Sequence, residues 1–410
     1  MPQIIAHLDM NSYFASVEQQ ANPFLRNKPV GVCAYLTPNG CIIASSVEAK
    51  KLGIKTGCRV KLAKQICPHI ALVENDPDKY RSVTKRFFKI MQEFGGNFEP
   101  YSIDEAFLDL SSAVNSFAEA QVIALKIQQR IKAEVGCWLK CSVGISFTRF
   151  LAKFASDTAG KDAIKIIGST DDLEQAYLGC KLTDIWGIGP ALSRRLNSLG
   201  ITEISQLRVF PLANLMQALG KQGYYLWSKV NGLELGQENN LAIAPRKSIG
   251  HSYCLPKWTQ DKNYLSKTLA KLVYKVGERL RLGGQVAHGF YINWAYVTGS
   301  YFGKSFTLIR PVSTDDEIFS LVDQTLTKAV LTDKVRFLAV GVYNLNQPSG
   351  QTTLPFEVEQ KHPLGADVYL AQALDSINGR YGKGVIYRGR MWQTNDMAHE
   401  RIGFRKLDDI

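Results

Sequence analysis

Two adjacent carboxylates, Asp104 and Glu105, sit inside a largely apolar stretch, Tyr101-Ser102-Ile103-Asp104-Glu105-Ala106-Phe107-Leu108-Asp109-Leu110. Like charges this close repel, and partial burial at the bend of a hairpin raises the cost, so such a pair persists most readily where a divalent cation neutralises it. A third carboxylate, Asp9, ends the first apolar run, Ile4 to Leu8. If that run is a strand beside the hairpin, three hard oxygen donors meet at one place, a set that suits Mg²⁺. Two such ions about 4 Å apart can activate a 3′-hydroxyl and stabilise a leaving pyrophosphate. Taken alone, Asp104 and Glu105 also read as ordinary turn residues.

A second segment suits phosphate rather than metal. Leu182-Thr183-Asp184-Ile185-Trp186-Gly187-Ile188-Gly189-Pro190-Ala191-Leu192 reads as a helix, a Gly-x-Gly hairpin and the start of another helix. Gly187 and Gly189 permit a tight turn that bares backbone N–H groups at a helix N-terminus, Pro190 suits the first helical turn, and Arg194 and Arg195 follow on that helix. A hairpin of this kind grips a nucleic-acid backbone without reading sequence.

The elements that position these groups are strands and helices in alternation. Ile4 to Leu8, Pro29 to Ala34 and Cys41 to Ala44 are short apolar runs bounded by Gly, Pro and Asn, and read as strands. Phe117 to Val135 carries Ile123, Ile127 and Ile131 at helical spacing, and Leu139 to Ile145 reads as a strand with a glycine inside it. From Leu182 to Gly232 strand signals give way to short helices broken by glycines. Asn240 to Ser248 reads as a linker, and beyond it Leu265, Leu269, Leu272, Val276 and Leu280 share one helical face while Lys267, Lys271 and Lys275 fall elsewhere. Strands over Gly289 to Val297, Ser305 to Ile309 and Val335 to Tyr343 complete a second α+β unit, and the chain after Pro348 reads as less regular. The class is α+β and multidomain, as 410 residues require.

Net charge is +12, and between Leu241 and Arg310 eleven Lys and Arg face two acidic residues. A cluster of that kind favours a polyanion partner such as nucleic acid. The eight cysteines form no CxxC pair and no histidine pair stands at zinc spacing, so neither disulfides nor structural zinc are expected. No stretch reaches the roughly 18 apolar residues of a membrane span. The chain is expected to be soluble and cytoplasmic.

Asp9-Met10-Asn11-Ser12-Tyr13-Phe14-Ala15-Ser16-Val17-Glu18 and Ser102-Ile103-Asp104-Glu105-Ala106-Phe107 resemble the two palm motifs of the Y-family DNA polymerases, the DinB and UmuC group. Gly40 to Gly57 resembles the fingers segment of that family, Leu182 to Leu192 its helix-hairpin-helix, and Arg246-Lys247-Ser248-Ile249-Gly250 its linker and little-finger junction. The resemblance implies a right-hand polymerase, with a palm over 1–12 and 76–175, small fingers over 13–75, a helical thumb over 176–239, a linker over 240–248, an α+β little finger over 249–347 and a tail over 348–410. It implies that Asp9, Asp104, Glu105 and the Met10 carbonyl bind two Mg²⁺ ions. Tyr13 and Phe14 would meet the incoming dNTP, with Phe14 as the steric gate against a ribose, although the residues alone read Phe14 as a core aromatic. Lys50 and Lys161 would hold the triphosphate, and Gly187, Gly189, Arg194, Arg195, Arg246, Lys247 and Lys304 the primer-template DNA.

Two departures stand out. Val47 and Lys50 replace the Tyr and Arg that many family members place on the triphosphate, and Ala159-Gly160-Lys161-Asp162-Ala163 replaces a Lys-Pro-Asn-Gly pattern. Gln351, Leu354 and Phe356 resemble the anchors of a sliding-clamp peptide, although the stretch also reads as polar linker, and Gly379 to Tyr387 resembles a UmuC-type tail. The implied activity is template-directed DNA synthesis in translesion repair and SOS mutagenesis, with a UmuD-like subunit and a recombinase filament as further possible partners. A catalytically dead scaffold for DNA and clamp, or a metal-dependent repair nuclease, are the competing readings.

Overall fold

The computed structural model describes residues 3–233, 246–348, 366–382, 384–394 and 397–398. The chain divides into two compact units, built on Met1–Ile243 and on Ala244–Glu400. In chain order the first unit runs β1 (Ile5–Met10), α1 (Tyr13–Ala21), β2 (Val30–Cys33), β3 (Ile42–Ser45), α2 (Val47–Lys51), α3 (Val60–Ile66), β4 (Ala71–Glu74), α4 (Pro77–Gln92), β5 (Asn97–Pro100), β6 (Glu105–Asp109), α5 (Phe117–Arg130), β7 (Cys141–Ser146), α6 (Arg149–Thr158) and β8 (Ile164–Ile167). Five helices follow: α7 (Thr170–Tyr177), α8 (Pro190–Asn197), α9 (Ile204–Val209), α10 (Leu212–Leu219) and α11 (Lys221–Val230).

The central sheet has the order β5-β6-β1-β7-β8, and β1 pairs antiparallel with both β6 and β7. Side chains alternate across a strand. Ala6, Leu8 and Met10 of β1 therefore enter the main core with Ala106, Leu108, Val143 and Ile145, against α4 and α5. His7 and Asp9 face the other way, toward α6. Gly144 lies opposite His7 in the ladder, and a Cβ there would meet the Ala152 carbonyl at 2.0 Å, so the missing side chain lets α6 seat directly on the sheet. Thr148 caps α6 by accepting from the Leu151 N–H.

A small three-stranded sheet, β3-β2-β4, carries α2 and α3 around a core of Cys33, Ile42, Ala49, Ile54 and Ala63. The helices α7 to α11 gather around Leu173, Leu196, Ile204, Leu207, Leu215 and Val230. One expectation changes here. The segment before Gly187 is a single 3₁₀ turn, Leu182–Asp184, rather than a helix, because Ile185 already leaves helical geometry to bury its side chain in this core.

The second unit contains β9 (Ser248–Thr259), α12 (Lys262–Leu282), β10 (Val286–Tyr296), β11 (Tyr301–Val312), α13 (Asp315–Lys328), β12 (Val335–Asn346) and α14 (Ala366–Tyr381). Its strands form one antiparallel sheet, β11-β10-β12-β9, with Ile249, Tyr253, Phe290, Ile292, Trp294, Leu338, Val340 and Val342 buried on the side that carries α12 and α13. The described residues of the tail are more regular than its sequence suggests. Asp375 of α14 pairs with Arg281, Asn378 exchanges hydrogen bonds with the Ile386 backbone, and Lys271 and Lys275 donate to the Thr394 and Ala398 carbonyls at 2.8 and 2.6 Å. Among the described residues no helix is long and apolar enough to cross a membrane.

Candidate active site

The register of the central sheet brings the three carboxylates together. Asp9 stands directly opposite Glu105 in the β1–β6 ladder, and the Met10 N–H donates to the Asp104 carbonyl at 2.9 Å, which fixes the turn carrying Asp104 against the end of β1. Directly opposed residues share a face of the sheet. Burial, then the nearby charges of Asp104 and Glu105, push the Asp9 carboxyl up to about 8. Burial raises Asp104 to about 6, against a hydrogen bond from the Ser102 hydroxyl. Burial also opposes ionisation of Glu105, but His7 and Lys153 outweigh it and hold that carboxyl down near 2.

Glu105 is the carboxylate already paired with a cation. Its Oε2 lies 2.5 Å from the Lys153 Nζ and 3.2 Å from the His7 Nε2. The His7 Nδ1 lies 2.6 Å from the Ser156 hydroxyl, and complete burial lowers the pKa of the imidazole. As they lie, no three acidic, His or Cys side chains among the described residues converge on a single ion position. The donor set nonetheless fits hard divalent cations, because half-buried, mutually repelling carboxylates at one strand end are stabilised by such charge and supply only oxygen.

Lys50 faces this cluster, with Lys161 near it. The Lys50 Nζ donates to the Ser12 hydroxyl at 2.8 Å. Burial and then the neighbouring Lys161 cation lower the Lys50 pKa, while Asp9 and Asp104 pull it back up, so all four charges lie within electrostatic reach. Ser12 holds a left-handed backbone, φ +51°, at the start of α1, a conformation costly outside glycine. The Lys161 turn is tied down from beneath: the Asn11 side-chain oxygen accepts from the Asp162 N–H at 2.9 Å, the Asn11 amide donates to Ser142, and the Ser142 hydroxyl donates to the Gly160 carbonyl.

Tyr13 and Phe14 are both buried. The Tyr13 hydroxyl lies 2.8 Å from both the Tyr80 carbonyl and the Thr84 hydroxyl, and the Phe14 ring stacks on Tyr80 with centroids 4.5 Å apart. Both rings belong to the main core, which is the reading the residues alone gave for Phe14.

Comparison with known proteins agrees with this geometry. Residues 8–157 match the impB/mucB/samB family and residues 246–355 match the C-terminal domain of the same family. A protein named DNA polymerase IV from Pelotomaculum thermopropionicum is 31% identical over 401 residues, 97% of this chain and 98% of the relative. Another of that name, from Bacillus velezensis, is 30% identical over 405 residues, 98% of this chain and 97% of the relative. The chain belongs to the Y-family DNA polymerases. A solved Y-family DNA polymerase chimera shares the fold, with a TM-score of 0.71 at 24% identity, over 84% of this chain and all of the chimera.

In this Y-family chain the remaining sequence-derived residues are spread more widely. Gly187 has φ +96°, Gly189 precedes α8, Pro190 opens it, and a Cβ on either glycine would meet nothing within 4 Å, so the hairpin backbone is open to a ligand. Arg194 and Arg195 are exposed, though Arg195 also donates to the Ala218 carbonyl at 2.8 Å. Trp186 binds the hairpin to the sheet domain through Tyr101 and Phe150. Arg246 and Lys247 are exposed just before β9. Lys304 lies opposite Ile292 in the ladder, hence on the margin of the helix-bearing face, with its ammonium 4.7 Å from the Phe306 ring centre. The opposite sheet face carries neutral groups, small ones such as Ser252, Ala339, Gly341, Asn293 and Ser305 beside the rings of Tyr291 and Tyr343. Gln351, Leu354 and Phe356 lie outside the described residues, as do 240–245 of the linker.

Sequence reasoning missed His7, Asn11, Ser12, Ser142 and Lys153. A usable signal existed for one of them: Lys153 stands amid Phe150, Leu151, Ala152, Phe154 and Ala155, an apolar helix in which a cation needs a partner.

Proposed function

We propose that this chain is a cytoplasmic, template-directed DNA polymerase of translesion synthesis that transfers a nucleotide from a dNTP to a primer 3′-end, with Asp9, Asp104 and Glu105 as its metal ligands. The observation that carries this reading is the Asp9–Glu105 register with Asp104 tied to Met10, which gathers residues distant in sequence at the ends of two neighbouring interior strands, near Lys50. The three carboxylates and the Met10 carbonyl would hold Mg²⁺, which when bound supplies charge to the attacking and leaving oxygens. Lys50 and Lys161 neutralise a triphosphate as point charges, without the bidentate fork of an arginine, and Val47 adds no hydrogen bond. Ser12 aims Lys50, and Asn11 with Ser142 fixes the Lys161 turn. Phe14 stands in the steric-gate position of the family motif, and its stacking on Tyr80 gives a ring there little freedom to yield to a ribose 2′-hydroxyl.

The bared N–H groups at Gly187 and Gly189, with Arg194, suit a DNA backbone, and Arg246, Lys247 and Lys304 add phosphate contacts from the little finger. The 351–356 peptide would dock on a sliding clamp.

Primer extension on undamaged and abasic templates tests the reading. The wild type is expected to lengthen the primer only with dNTPs and a divalent ion, and Asp104→Ala with Glu105→Ala to abolish this while leaving DNA binding intact. Extension by the double variant would overturn the assignment, and shortening of DNA without dNTPs would favour a nuclease.

A further inference from the structure

Among the described residues Lys153 is the one lysine or arginine that touches a carboxylate of the site directly. Its Nζ lies 2.5 Å from Glu105 Oε2 and 3.5 Å from Asp157 Oδ1, and 5.6 Å from the Tyr101 ring centre. The residue is only 8% exposed. It reaches Glu105 because α6 packs on the sheet at Gly144. A buried ammonium on a largely buried carboxylate, 13% exposed, is a strong interaction that removal of either partner would make costly. It also draws on the same carboxylate charge, through Oε2, that a divalent ion would use.

We propose that Lys153 is an internal competitor for the metal site: its ammonium and a divalent cation contend for Glu105, so that ion binding requires Glu105 to exchange Lys153 for the metal. This rests on the reading of Asp9, Asp104 and Glu105 as ion ligands. Asp157, one helical turn along α6, remains to pair Lys153 when Glu105 leaves it. Two consequences follow. The ion pair keeps the acidic cluster folded at low metal concentration, and it sets the divalent affinity lower than three free carboxylates would give. Lys153 is thus a positioning residue that acts through Glu105.

The test is Mn²⁺ binding to the full chain without DNA or nucleotide, read by electron paramagnetic resonance of free Mn²⁺, together with thermal melting. Lys153→Met is expected to bind Mn²⁺ at least about tenfold more tightly than wild type, equivalent to about 1.4 kcal/mol, to melt lower in EDTA, and to recover most of that loss in saturating Mn²⁺. If Lys153→Met is unfolded in EDTA, recovery of its circular dichroism on adding Mn²⁺ supports the proposal and failure to recover overturns it. Equal or weaker Mn²⁺ binding by a folded Lys153→Met also overturns it. Lys153→Arg, which keeps the charge, is expected to stay near wild type in affinity. Failure of the two readings is separable: wild type that binds no Mn²⁺ tightly enough to lose it in Asp104→Ala with Glu105→Ala contradicts the ligand assignment itself.

Discussion

The acidic edge of the first unit and the basic stretch of the second put charge to opposite uses. Asp9 and Asp104 are half-buried beside like charge, and of the three only Glu105 has its charge met by a buried cation, Lys153. Of the eleven cations between Leu241 and Arg310, by contrast, Lys262, Lys271, Lys275, Arg279 and Arg281 spend their N–H groups on the protein itself. Charge left uncompensated inside a fold is waiting for a ligand, whereas charge counted along a sequence is often already paired. Many of the second unit's cations are structural, so the proposed DNA contacts rest on fewer residues than the count implies.

The largest expected effect tests the structural half of this contrast. Arg281 is buried between Asp315 and Asp375, donating to both oxygens of the latter at 2.6 and 3.0 Å. Arg281→Ala should cost about 3 kcal/mol in the unfolding of the second unit, read by chemical denaturation, with the first unit's transition unmoved. A loss under about 1 kcal/mol would break the contrast.

Next is the functional half. Lys50→Ala with Lys161→Ala should raise the dNTP KM by about thirtyfold, or about 2 kcal/mol, with little change in melting temperature. Steady-state incorporation of a single nucleotide measures it, and a fall in stability with unchanged KM would make these lysines structural as well.

A smaller effect is protonic. Asp9 at about 8 and Asp104 at about 6 lie above the ordinary carboxyl range. Raised carboxyls favour folding while protonated, so ion-free stability should fall as pH rises from about 4 to about 8. Binding of a divalent ion at pH 7 should release protons. Calorimetry in buffers of different ionisation heat reads that release, and enthalpies independent of buffer would remove the buried-carboxylate account.

Smallest is the salt dependence of DNA binding. Lys304→Ala should lower the magnitude of the log–log salt slope by about 0.9, one phosphate contact, whereas Lys271→Ala should leave it alone because its ammonium already serves the Thr394 carbonyl. Fluorescence anisotropy across a salt series distinguishes them, and equal changes in both would blur the division between structural and DNA-facing cations.

Much of this was legible from local pattern. Asp9 ends an apolar strand, Asp104 and Glu105 mark a bend between strands, and the helical face of Leu265 to Leu280 is buried throughout. What was not legible depends on distant partners. Lys153 meets a residue 48 positions away, and Asn11 holds a turn 151 positions on, so neither has a local signature. Lys275 sat among polar positions of α12 yet is 9% exposed, because the tail covers it. The tail's α14 escaped notice because only Ala371 and Asn378 along its described side chains are buried, leaving no broad apolar stripe to count. The lean toward the UmuC group rests on the Gly379 to Tyr387 motif, whereas the reported relatives carry the name DNA polymerase IV.

The central claim, that Asp9, Asp104 and Glu105 form one divalent site, is tested most directly by loading Fe²⁺ in place of Mg²⁺ and generating hydroxyl radicals with ascorbate and peroxide. The chain is expected to be cut beside residues 9 and 104–105, with cutting suppressed by excess Mg²⁺ and lost in Asp9→Ala. Cutting centred elsewhere, or unchanged by Asp9→Ala, would contradict it.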